Sequence, residues 1–93
     1  MKDLQKIRQT IDDIDDCLAS LFAERMHAAA AAHAYKTAHG LPLADPDREA
    51  AVVAARQARL PADLAPYGAT LARCLLDLSK QYQQSLSEAE DKR

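Results

Sequence analysis

Between Leu4 and Tyr35 the chain repeats a single row of apolar positions, and that row constrains the fold more than anything else in the sequence. It runs Leu4, Ile7, Ile11, Ile14, Leu18 and Leu21, then Arg25, Ala28, Ala32 and Tyr35. Steps of three and four alternate, the spacing of a helix that packs along its whole length. Gly40 followed by Pro42 stops it, which predicts a first helix over residues 3–39. At ~1.5 Å per residue that helix is roughly 55 Å long. A compact domain of 93 residues has a radius of gyration of about 12 Å and a diameter of roughly 30 Å. The helix cannot be covered by its own chain. The seam therefore predicts an obligate oligomer, most simply a two-fold homodimer of intertwined helices.

The rest of the sequence agrees with an all-α chain of one domain, residues 1–93. Hydrophobic residues make up 48%, much of it alanine, with two glycines, four prolines, no tryptophan and one phenylalanine. Valine and isoleucine are scarce beside Ala, Leu, Gln, Arg, Lys and Glu. A second helix is predicted over residues 46–60. Asp45 suits its N-cap, Pro46 its first position, and Asp47 adds favourable charge to the first turn. A third is predicted over 66–88, packing through Leu71, Leu75, Leu78 and Tyr82, with the polar tail after Leu86 frayed.

The net charge of -2 offers no electrostatic footprint for nucleic acid or an anionic membrane. No apolar stretch approaches the roughly 20 residues of a membrane span. The opening MKDLQKIRQTIDD lacks the apolar segment of a signal peptide. The expectation is a cytoplasmic protein in which Cys17 and Cys74 are buried, reduced thiols. His27, His33 and His39 are six apart and fall on different helix faces, so no metal site is indicated.

Arg25 interrupts the seam where a leucine or isoleucine is expected. Eleven residues are almost a whole number of helical turns, so Arg25 and Lys36 share a face about 16 Å apart. Ala29 and Ala32 lie between them. Two cationic arms over a floor of methyl groups can cradle a small anion; equally, alanines can allow close helix approach while Arg25 pairs with a carboxylate. Both readings put an anion beside Arg25, because a buried cation without a partner is costly. Arg8 lies 17 residues earlier, about 26 Å along the same helix, too far to share one small ligand with Arg25. In a dimer with antiparallel long helices, Arg8 of one subunit can approach Arg25 of the other. Ser79 and Gln83, four apart, share a face of the third helix, either as a polar border or as ligand donors. Asp45, Arg48 and Glu49 form either a capped helix start or part of a site. No Ser-His-Asp or Cys-His arrangement and no glycine-rich phosphate loop is visible, so an enzymatic reaction here must need no nucleophile.

Taken together, "IRQTIDDIDDCLASLFAERM", the lysine at 36, "GLPLADPDREAAV" and "LSKQYQQ" resemble the all-helical chorismate mutases (the AroQ class, type II) over nearly the whole chain. The resemblance implies an intertwined homodimer with two equivalent sites and no cofactor. It implies conversion of chorismate to prephenate, a Claisen rearrangement in aromatic amino acid biosynthesis. Carried over by position, Arg25 and the partner's Arg8 bind the two substrate carboxylates, with Arg48 in support and Ser79 adding a hydrogen bond to the ring carboxylate. Glu49 accepts from the ring hydroxyl and the Asp45 backbone lines the same end. Lys36 and Gln83 donate to the ether oxygen. Catalysis would then rest on Lys36, Gln83 and Arg25. Lys80 departs from the pattern, a charge where an apolar residue is expected. Relatives of this fold include an isochorismate pyruvate-lyase and a mutase for the amino analogue of chorismate; a non-catalytic dimerisation or regulatory module is the alternative from another class.

Overall fold

A computed structural model describes residues 3–91 and contains three helices, α1 (Leu4–Ala38), α2 (Pro46–Ala58) and α3 (Ala65–Asp91). Asp3 caps α1, its side chain accepting from Lys6 N at 2.9 Å. The other end closes with two bonds typical of a left-handed stop: Leu41 N donates to Lys36 O at 2.9 Å and Gly40 N to Thr37 O at 3.4 Å. Gly40 has φ of 64°, a conformation that a side chain would strain. This turn folds the chain back over Lys36, which fixes one wall of the site.

At the start of α2, Asp45 Oδ1 accepts from Arg48 N at 3.1 Å, and Pro46 occupies the first turn. The helix ends at Ala58, two residues before the expected Leu60. Arg59 N and Leu60 N bond instead to Arg56 O and Gln57 O, a tightened last turn. Gly68 then lets Leu60 lie where a Cβ would otherwise stand. α3 runs past its expected end at residue 88. It stays helical through Asp91, supported by a Gln84 to Glu88 bond at 3.3 Å and by Ser87 reaching α1.

α3 packs against both of the other helices. Of the leucine row expected, Leu75, Leu78 and Tyr82 are half-buried and Leu71 is 57% exposed; the deepest apolar positions are Ala69 and Ala72. With Val52 of α2 they make up the buried apolar core, and among the described residues no large side chain is fully buried. The chain measures 56 × 30 × 15 Å with a radius of gyration of 16.9 Å, well above the roughly 12 Å of a closed domain this size. Leu4, Ile7, Ile11, Ile14, Leu18 and Leu21 are all between 42% and 59% exposed. Half of α1 thus projects with its seam uncovered. Cys17 and Cys74 are free, but both are exposed rather than buried: one sits on this uncovered half, the other on the outward side of α3. Among the described residues no helix is long and apolar enough to cross a membrane.

Candidate active site

α1 and α3 run parallel and are joined by polar rungs at a constant separation of 54 residues: Arg25 to Ser79, Ala29 to Gln83, and His33 to Ser87. Each rung is four residues, about one turn, beyond the last. The first is the tightest, with Arg25 Nη1 donating to Ser79 Oγ at 2.6 Å and lying 3.4 Å from Leu75 O. Ser79 in turn donates to Leu75 O at 2.8 Å. Its hydroxyl therefore anchors Arg25, leaving the other guanidinium N–H groups for a ligand. In the second rung Gln83 Nε2 donates to Ala29 O at 3.0 Å. That bond fixes which end of the amide carries the donors and leaves one N–H unspent.

The ladder forms the back of a cleft of about 530 Å³, floored by Ala28, Ala29 and Ala32 and closed on the far side by α2. Small side chains are what keep it open. Of the residues singled out in the sequence, Arg25, Lys36, Asp45, Arg48, Glu49, Ser79 and Gln83 all line this cleft. Arg8 does not. It lies on the projecting half of α1, far from the cleft of its own chain. Lys36 Nζ lies 3.4 Å from Leu43 O, a loose tether that leaves its other donors free. Asp45 uses its carboxylate as a helix cap, so its backbone is what it offers a ligand.

Several lining residues were not foreseen. His33 is 6% exposed, its Nε2 lies 3.0 Å from Ser87 Oγ, and its Nδ1 has no partner. Helical arithmetic could have found this pair, since His33 is eight residues past Arg25 and Ser87 eight past Ser79. Arg56, eight past Arg48, also lines the cleft. Lys80, already noted in the sequence as a departure from the family pattern, lines it too, its Nζ 2.7 Å from Glu49 Oε1. Arg25, Lys36, Arg48, Arg56 and Lys80 face only Asp45 and Glu49 among the carboxylates of the lining. The cleft suits a small anion carrying more than one negative charge.

The family model described as "Chorismate mutase type II" matches residues 7–84. Among curated proteins, the chain is 39% identical over 71 residues to the "T-protein" of Haemophilus influenzae, covering 76% of this chain and 18% of that protein. It therefore spans under a fifth of that relative's length. No solved structure gives a significant match. With a family match running from Ile7 on the exposed seam through Gln83 on α3, the chain belongs to the chorismate mutase type II family.

Proposed function

We propose that this chain rearranges chorismate to prephenate, a step of aromatic amino acid biosynthesis, in the cytoplasm and as a homodimer. The observation that carries the reading is the single cleft holding Arg25, Lys36, Arg48, Glu49, Ser79 and Gln83 together, with cations in excess. The reaction breaks one C–O bond as one C–C bond forms within the same molecule. It needs the substrate held in a chair-like shape and charge stabilised on the departing ether oxygen, and no group on the protein has to form a covalent bond.

Arg25 binds one substrate carboxylate with the guanidinium edge that Ser79 leaves free, and Arg48 supports it. Arg8 of the partner subunit supplies the second carboxylate clamp; the exposed seam between Leu4 and Leu21 supports an association that brings it there. Holding both carboxylates selects the reacting conformer. Glu49 accepts from the ring hydroxyl and the backbone at Asp45 closes that end. Lys36 and the remaining N–H of Gln83 donate to the ether oxygen. Its negative charge grows as the C–O bond lengthens, so these donors favour the transition state over the substrate, by ~3–4 kcal/mol for one well-placed donor.

The test is turnover of chorismate by the purified chain, read as ultraviolet loss, beside pyruvate release from isochorismate. Chorismate consumed without pyruvate is the expected result. Lys36→Ala should stay folded and lose activity by ~10²–10³-fold. Wild-type turnover in that variant would contradict the role given to Lys36, and pyruvate as the main product would contradict the reaction.

A further inference from the structure

Lys80 has no part in the reaction proposed above, yet it makes an ion pair inside the cleft. Its Nζ lies 2.7 Å from Glu49 Oε1, and the two side chains are 56% and 29% exposed. The carboxylate is the more enclosed partner; the ammonium reaches it from the rim. One residue earlier on α3, Ser79 turns towards α1, so the ~100° step between neighbours sends Lys80 towards α2. Glu49 therefore meets a ligand with one oxygen engaged and its charge offset. What remains most open to a ligand is Oε2, a hydrogen-bond acceptor.

A hydroxyl asks for no more than that. An ammonium in the same place would have to share one carboxylate with Lys80, two cations within a few ångströms of each other. Like charges brought together in this way are a repulsive element that rejects one ligand without improving the other. We propose that Lys80 makes this end of the cleft selective for a neutral hydroxyl and against a protonated amine at the same ring position. The inference rests on the chorismate reading and sharpens its substrate class. Because Lys80 reaches in from a solvated rim, the discrimination it supplies is about two- to fivefold.

A lysine that merely tied α2 to α3 would affect both substrates alike, so the ratio of two kcat/KM values separates the cases. Chorismate and its amino analogue are compared on wild type, Lys80→Met, Lys80→Gln and Lys80→Arg, with the helical content of each checked by circular dichroism. The preference for chorismate should fall about two- to fivefold in the two neutral variants, mainly through KM for the amine, and Lys80→Arg should retain it. Two neutral replacements guard against one failing to fold. An unchanged ratio in a folded neutral variant that still turns over chorismate would overturn the selectivity alone. A wild-type chain that turns over neither substrate would overturn the reaction and the selectivity together.

Discussion

If each cleft is completed by Arg8 of the partner, two inactive variants should repair each other. Arg8 and Lys36 are 36 − 8 = 28 residues apart on one straight helix, roughly 42 Å, so they cannot serve one cleft in the same chain. Arg8→Ala removes a charge-assisted carboxylate contact worth about 1.5–3 kcal/mol, a loss of roughly ten- to a hundredfold in turnover. Lys36→Ala removes the ether-oxygen donor and costs more. When the two variants are mixed and re-paired, about half of the dimers contain one chain of each kind. In such a dimer one cleft has both residues intact and the other has neither. The mixture should therefore regain about a quarter of wild-type activity, far above the sum of its parts. The assay is chorismate loss in a one-to-one mixture refolded from denaturant, with exchange confirmed by native mass spectrometry of chains differing in a tag. Confirmed exchange with no gain in activity would refute the shared site. Near wild-type turnover by Arg8→Ala alone would remove Arg8 from the site altogether.

Other consequences are separable from that one. Ile11 and Ile14 are each about half exposed on the lone chain, so covering them gains ~1 kcal/mol apiece and ~4 kcal/mol over a dimer. Ile11→Asp with Ile14→Asp should weaken association by at least ~10³-fold, seen as monomer by sedimentation. Gln83→Leu should lower kcat by ~10²–10³-fold with a smaller change in KM, measured by steady-state kinetics. Ser87→Ala removes the partner of His33 Nε2 and leaves both ring nitrogens of a buried histidine unbonded. A destabilisation of about 1–3 kcal/mol is expected in urea unfolding; no change would mean that water reaches the ring.

The parts of this molecule that were legible in the sequence are those set by backbone geometry. Gly40 and Pro42 mark where α1 must stop, Asp45 and Pro46 mark where α2 must start, and the 11-residue step from Arg25 to Lys36 puts both on one face whatever surrounds them. The inner face of α3 was misjudged because its contacts are made by small residues. Leucine periodicity points to Leu71, which is exposed, because the first turns of α3 approach their neighbours through Gly68, Ala69 and Ala72; the leucines that follow, Leu75, Leu76 and Leu78, are half-buried. The run of α3 beyond the expected end at residue 88, to Asp91, was hidden for a related reason. Ser87 there pairs with His33, a step of 54 residues that helical arithmetic yields only once Arg25 is set beside Ser79. Lys80 could be flagged as unusual from sequence, but not assigned a partner, because Ser79 beside it faces a different helix.

These misjudgements share a cause that bears on function. The contact between α1 and α3 is a ladder of hydrogen bonds beside a row of alanines, not an apolar core, and this is what leaves a cleft open between the helices. An open cleft and a large internal core are incompatible in a chain this small, since the side chains that would stabilise one would fill the other. In the proposed dimer, burial lost inside is recovered outside, along the seam from Leu4 to Leu21 that the lone chain leaves exposed. Stability and activity should then depend on the same association. On dilution, helical content and turnover per chain should fall over the same range of protein concentration. A chain that stayed fully helical while its activity disappeared would break that link, and would mean that three helices can fold around an empty cleft without a partner.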